Sequence, residues 1–263
     1  MNKSVENQEW RWQWESFYED KDYAADNFRL LQAWIHPSTP EDFRGKTVLD
    51  CGCGKGQHLK FLLPYVSDGT GVDLNTAATA RRYIGSEKIE VLEGDIAKMS
   101  LDRKFDIVYS IGVLHHTDDP TASFENIRKH AKPGGRVIVW VYSWEGNFLN
   151  RALLEPFKRA FTARMPRALL KALAAALTAA LYVPVWTVYL LPLRGLPFYE
   201  YFANFRRLSF AHNFLNVFDK LNAPQTHFIT RGTMEKWFDP SVFSDVHISP
   251  YLGVSWRGSG TVK

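Results

Sequence analysis

The chain predicts a doubly wound α/β fold, a parallel sheet with helices on both faces. Three observations carry this. Short apolar and β-branched runs alternate with helical patterns between residues 47 and 142, and such alternation requires a parallel sheet covered on both sides. The run Val48-Leu49-Asp50 leads into glycines at every second position, Gly52, Gly54 and Gly56, and then into a helical pattern from Gln57 to Leu63. Strand, glycine turn and helix together make a nucleotide-like ligand site. Finally, acids follow successive strands at Asp50, Asp73 and Asp95, where open α/β sheets bind ligands.

In chain order, residues 1–45 read as a helical preamble. Trp10, Trp14, Phe17 and Tyr18 recur at helical spacing, and Leu30, Leu31, Trp34 and Ile35 form a second, shorter stripe. These helices either cover the sheet edge or form a lid over the ligand. Pro37 and Pro40 end them. Strand 1 is then expected at Thr47–Leu49, strand 2 at Thr70–Val72 and strand 3 at Ile89–Leu92. Strand 4 is expected at Phe105–Tyr109, with Ser110-Ile111-Gly112 following it. Asp119-Pro120 opens a helix whose Phe124, Ile127 and Ala131 face the sheet. Lys132-Pro133-Gly134-Gly135 reads as its stop and a turn, and Arg136–Tyr142 as strand 5. From Asn147 to about Phe218 the pattern is helical, with Leu149, Leu153, Phe157 and Phe161 stepping by four. Thr230–Phe238 reads as a short helix, and Val246–Tyr251 and Val254–Lys263 as two closing strands.

Composition narrows the class. The 263 residues are 46% hydrophobic and carry a net charge of +4. Cys51 and Cys53 are the only cysteines, which excludes a disulfide framework and argues against zinc. As small residues in a tight turn they fit a reducing cytoplasm. Met1–Asp22 has no apolar h-region, so no signal peptide is expected there.

The glycine spacing also argues against a dinucleotide. The fingerprint G-x-G-x-x-G is replaced by Gly52-x-Gly54-x-Gly56, and Asp50 would repel a pyrophosphate. An acid beside the turn suits a ligand with a cationic or zwitterionic portion. Asp73 suits a ribose diol, Asp95 an exocyclic amine, and Ile96 the face of an adenine ring.

These motifs resemble those of the class I S-adenosylmethionine-dependent methyltransferases, in the subgroup that includes the ubiquinone-biosynthesis-like enzymes. Val48–Gly56 resembles that family's first motif, Gly71-Val72-Asp73-Leu74 its ribose motif, and Gly94-Asp95-Ile96 its adenine motif. Phe105–His116 resembles its fourth-strand motif, and Lys132–Gly135 the turn before its fifth strand. The resemblance implies a Rossmann-like seven-stranded sheet of order 3-2-1-4-5-7-6 with strand 7 antiparallel and a helical insertion after strand 5. It implies S-adenosylmethionine as cofactor, with Gly52, Gly54 and Gly56 at the methionine portion and Asp50 orienting the amino end. Asp73 and Leu74 belong to the ribose, Asp95 and Ile96 to the adenine, and Ser110 and Ile111 to the sulfonium side. No metal is implied. His115 or, less favoured, His116 is a candidate base for an oxygen or carbon acceptor; each can equally pack or cap the turn before Asp118. Tyr142 is a weaker candidate for the acceptor pocket.

Four segments are therefore expected: 1–45 as cover or lid, 46–146 as the cofactor-binding core, 147–218 as an acceptor lid, and 219–263 as the end of the core. The third holds nine Lys or Arg against Glu155 and Glu200, a net of +7, so the rest of the chain carries −3. Within it Ala172–Leu193 contains no charge, and Pro184 and Pro192 interrupt it. A lid, a membrane-docking surface and a membrane span all remain readings of this stretch. Tyr199, Tyr201, Phe202, Phe205, Phe210 and Phe214 either line an acceptor pocket or form ordinary core. The expected acceptor is a small-molecule substrate that is moderately large and hydrophobic, lipid-like or anionic, methylated first on oxygen and otherwise on nitrogen or carbon. The basic charge is interleaved with apolar residues, which argues against nucleic acid. The enzyme is expected to be cytoplasmic and in peripheral contact with a membrane. The alternative is a non-catalytic module that binds the same cofactor and docks a membrane or partner through the insertion.

Overall fold

The computed structural model describes residues 21–162 and 165–263. The stripe containing Trp10, Trp14, Phe17 and Tyr18 lies outside them. The shorter stripe forms a helix, α1 (Lys21–Trp34), with Leu30, Leu31 and the following Ile35 buried.

Seven strands make one sheet: β1 (Thr47–Cys51), β2 (Asp68–Asp73), β3 (Ile89–Glu93), β4 (Phe105–Ile111), β5 (Ala131–Tyr142), β6 (Phe243–Tyr251) and β7 (Ser255–Val262). Their order is β3-β2-β1-β4-β5-β7-β6. The first five pair in parallel, and β7 runs antiparallel to both β5 and β6. The order and the antiparallel strand are those expected. A central strand alternates its side chains between two covered faces. Accordingly, Leu49 and Cys51 join the cluster of Phe124, Val137 and Trp237, while Val48 joins that of Leu31, Leu59 and Ile84.

The helices covering these faces are α2 (Gln57–Leu62), α3 (Ala77–Ile84), α4 (Pro120–Arg128) and, near the end, α9 (Arg231–Trp237). Helix α4 starts as expected. Asp119 Oδ1 accepts hydrogen bonds from the Thr121 and Ala122 backbone N–H groups, both at 2.9 Å, and Pro120 occupies the first turn.

Two sequence expectations are corrected here. Ala131 does not end α4; it opens β5 opposite Phe105. The Lys132–Gly135 segment is a bulge within that strand, because the next paired residues are Ile107 and Arg136. Gly134 takes φ +75 in the bulge. The bulge also accounts for Phe105 and Ile107, two residues apart, entering opposite clusters. The second correction concerns Ser110 and Ile111. They lie inside β4 rather than beyond it.

Between β5 and β6 the chain folds into helices. A π-helical turn (Asn150–Leu154) runs into α5 (Glu155–Ala160); α6 (Arg167–Val185), α7 (Tyr199–Phe205) and α8 (Phe210–Asn222) follow. Leu170 and Ala174 of α6 pack on Phe218 and Leu221 of α8 as a separate small cluster. The boundary expected at 218/219 therefore falls inside α8. Leu153, Phe157 and Phe161, which step by four as a helical pattern, point outward.

Candidate active site

The turn after β1 is built so that backbone can face a ligand. Gly52 has φ +89, and a Cβ there would stand 2.4 Å from Val113 Cγ1, so only glycine fits. Gly56 has φ +86, but its Cβ would strike Ile84 at 2.5 Å. Its hydrogen serves the packing of α2 on α3. Asp73, ending β2, accepts from the Gly54 N–H at 2.9 Å and from the Asn75 N–H at 3.3 Å. Each carboxylate oxygen has two acceptor positions, so capacity remains for a ligand. Asp95 accepts from the Ala97 N–H at 2.9 Å.

A cavity of about 520 Å³ lies over these strand ends. Gly52, Gly54, Asp73, Leu74, Asp95, Ile96 and Ile111 all line it, so the structure brings seven of the expected cofactor residues together. Three others lie off its wall. Asp50 is 1% exposed within β1, where burial pushes its carboxyl up to about 8, opposed by the Tyr109 hydroxyl and reinforced by Asp73. Gly56 packs as described. Ser110 is buried and donates to the Cys51 carbonyl at 2.8 Å, tying β4 to β1.

Sequence reading missed the far wall. Tyr23, Asn27 and Trp34 of α1 and His212, Asn216 and Asp219 of α8 complete the cavity. The α8 residues had a signal: positions 212, 216 and 219 fall on one helical face. The wall also holds buried polar atoms without a protein partner, Gln57 Oε1, His58 Nε2 and His212 Nδ1. Buried polar atoms need partners. An adenosyl ligand with a zwitterionic amino-acid tail offers them, so the residues present fit S-adenosylmethionine.

A second cavity, of about 320 Å³, adjoins the first. Trp34, His116, Trp140, Tyr142, Asn216 and Asp219 line both. The remaining wall is mostly apolar and comes largely from the insertion, with Leu177, Leu181, Tyr201, Phe202 and Phe205. Of the other aromatic candidates, Phe210 stands exposed and Phe214 packs on the α6–α8 cluster. Lys220 opens onto this cavity and donates to the Tyr201 hydroxyl at 3.1 Å; its Nζ lies 5.7 Å from the Tyr142 ring centroid. Burial alone would lower the Lys220 pKa, but Tyr201, Tyr142 and Asp219 outweigh it and raise it. Burial pushes the Tyr142 hydroxyl up to about 12, so it stays protonated.

The two histidines differ in place. His115, the favoured candidate base, lines neither cavity. It is 1% exposed, its ring lies tilted with its centroid 4.2 Å from that of Tyr142, and burial holds its pKa well below the usual value. His116 lines both cavities. Its Nδ1 is 2.8 Å from the Gln225 carbonyl oxygen, which can only accept. Nδ1 therefore carries a proton. Burial also lowers the His116 pKa, partly offset by Asp219.

Fold and site define a class I architecture for an adenosyl cofactor. Residues 23–188 match the family model of a methyltransferase domain, and the chain belongs to that family. It is 30% identical over 125 residues to dTDP-3-amino-3,4,6-trideoxy-alpha-D-glucopyranose N,N-dimethyltransferase of Streptomyces venezuelae, covering 45% of this chain and 50% of the relative. It is 27% identical over 115 residues to tRNA U34 carboxymethyltransferase of Pseudoalteromonas translucida, covering 41% and 35%. The matched parts thus span half or less of these curated relatives. Magnesium protoporphyrin IX methyltransferase of Synechocystis PCC 6803, solved with bound SAH, shares the fold at a TM-score of 0.55 and 12% identity, over 99% of this chain and 96% of that one.

Proposed function

We propose that this protein transfers a methyl group from S-adenosylmethionine to the oxygen of a small, hydrophobic acceptor. The observation that carries this is the apolar cavity sharing a wall with the cofactor cavity. It has the wrong lining for a polyanion such as nucleic acid. S-adenosylmethionine supplies a methyl already activated by a sulfonium, so alignment and exclusion of water can provide most of the rate.

The chain's own residues then have definite tasks. Asp73 holds the ribose hydroxyls and Asp95 the adenine amine, while the Gly52–Gly54 backbone approaches the methionine portion. Trp34 and Trp140 exclude water at the junction. The Lys220 ammonium attracts an acidic oxygen on the acceptor, favouring phenols and carboxylic acids with apolar bodies. A phenolic acceptor would give up its proton to His116 as it took the methyl that the bound cofactor would supply, whereas a carboxylate acceptor has no proton to lose. Neutral imidazole is the form that can take a proton, and the lowered pKa keeps His116 neutral near pH 7. On this reading the enzyme is cytoplasmic and meets a lipid-like acceptor as a peripheral membrane protein.

Calorimetry with S-adenosylmethionine and its demethylated product, followed by turnover across hydrophobic phenols, carboxylic acids and amines, tests this. The expected result is binding of both cofactor forms and turnover of acidic oxygen acceptors. In Lys220→Met, kcat/KM for those acceptors should fall about 10–100-fold, the cost of roughly one charged hydrogen bond, with cofactor affinity retained. Binding without turnover of any acceptor would overturn the catalytic reading in favour of a docking module.

A further inference from the structure

Among the described residues, the large apolar side chains that stand exposed lie between Trp144 and Phe210, with Val246 the one exception. They all lie in or beside the insertion. Helix α6 shows why this is unusual. One side, Leu170, Ala174 and Thr178, is buried toward α8. The opposite side of a water-facing helix should be polar. Here it is Leu169, Ala172, Ala176, Ala180 and Val183, at spacings of three and four, all exposed, with Val183 at 68%. The chain beyond α6 continues the pattern, with Leu190 at 55% and Leu191 at 53% exposed. Exposed Arg159, Lys171 and Arg194 accompany this surface.

Helix α6 is long and apolar enough to cross a membrane by length and composition. Its packing argues otherwise. It lies along α8, which carries the buried His212 and Asn213 and the cavity-lining Asp219 and Lys220. A span would have to carry those groups into hydrocarbon or abandon them. A second copy of the chain is also disfavoured, because a two-fold contact would bring two segments of net +7 together. An anionic lipid surface satisfies both the apolar area and the charge.

We propose that the outward face of the insertion, from the π-helical turn before α5 to Arg194, docks on an anionic bilayer as an interfacial surface. We infer, resting on the second cavity being the acceptor site, that the acceptor enters from that bilayer. Leu177 is 38% exposed and lines the cavity, and Leu154 and Leu181 of the same elements line it too. The elements that touch lipid are thus those that wall the acceptor.

Flotation of the full chain tests the docking, using phosphatidylcholine vesicles with and without about a third phosphatidylserine. Wild type should float with the anionic vesicles and weakly with neutral ones. L190D/L191D changes exposed residues outside both cavities; it should lower partitioning at least about tenfold with unchanged melting temperature and cofactor-product affinity. R159E/R194E should lower it about tenfold or more on anionic vesicles, with little change on neutral ones. Wild type that stays at the bottom in both mixtures, or variants that float like wild type, would overturn the docking. So would a wild-type dimer by light scattering that L190D/L191D converts to monomer without any vesicle binding. The entry route is read by turnover: L190D/L191D should lose turnover of a vesicle-borne acceptor and keep that of a water-soluble one. Equal loss of both overturns the route. Cofactor binding measured without vesicles keeps failure of the docking distinct from failure of the methyl-transfer reading.

Discussion

A single carboxylate shows how residue identity and position part company. Asp50 was read from the sequence as part of the cofactor turn, yet it is buried beneath that turn and its Oδ2 has no partner. Burial holds its folded pKa at about 8, against an ordinary value near about 3.9. The folded protein therefore keeps a proton that the unfolded chain has lost, between about pH 4 and 8. Stability falls as pH rises through that window. Asp50→Asn is uncharged throughout, so thermal melts without cofactor should show it gaining on wild type from pH 5 to pH 8. Each unit of displacement is worth about 1.4 kcal/mol; after allowance for relaxation, a gain on the order of 1–2 kcal/mol is expected. Wild type gaining on the variant instead would show an ionised, stabilised carboxylate. Asp73, which ends β2, and Asp95, two residues past the end of β3, by contrast line the cavity. Both were legible, since a strand end and an acid are local features. His115 and His116 were not separable, because neighbours in sequence differ only in which way the short helical turn Leu114–His116 points them.

Elements were legible where their signal is local and illegible where it depends on partners. Periodicity found the strands and the cap of α4. It misread Lys132–Gly135, since Lys-Pro-Gly-Gly is turn chemistry whether it ends a helix or bulges a strand. It gave the insertion its helices but not their orientation, and Leu153, Phe157 and Phe161 consequently face out. The attachment of α6 rests on the small cluster with α8. Leu170→Ala, at a residue 2% exposed, should cost about 2–5 kcal/mol where that cluster cannot collapse. Hydrogen exchange should show faster opening across 167–185. Calorimetry should find cofactor-product affinity lowered as well, because α8, on which Leu170 packs, also carries His212, Asn216 and Asp219 of the cofactor cavity. Equal acceleration in β1 and β4 would mean that insertion and sheet open as one unit.

The whole molecule divides its charge. The 147–218 segment carries +7 and the remainder −3, so a field points from one part of the chain to the other. Raising salt from about 0.1 M to 1 M shortens the screening length from about 10 Å to about 3 Å. Vesicle titrations at the two concentrations should show affinity for anionic lipid falling at least about tenfold, while the residual binding matches that to neutral lipid. Salt-independent binding would leave the apolar face acting alone. The charge division was legible in the sequence; the polar stripe of α8, which crosses the boundary at 218/219 and lines the first cavity, was not.

That shared wall reaches further through α1. Arg257 donates to the Ala33 carbonyl at 2.9 Å, pinning the end of α1 to β7. At the other end, Asp26 accepts from the Ser209 N–H at 2.8 Å, and Arg29 donates to the Arg207 carbonyl at 2.8 Å. Next to the Ala33 tie sits Trp34, one indole facing two cavities. Any rearrangement of that indole on filling one cavity is felt in the other. Thermodynamic linkage makes the traffic symmetric: whatever factor the donor adds to acceptor affinity, the acceptor returns to the donor. With donor and acceptor in the two cavities as proposed, the same reciprocity holds for the binding of the two products.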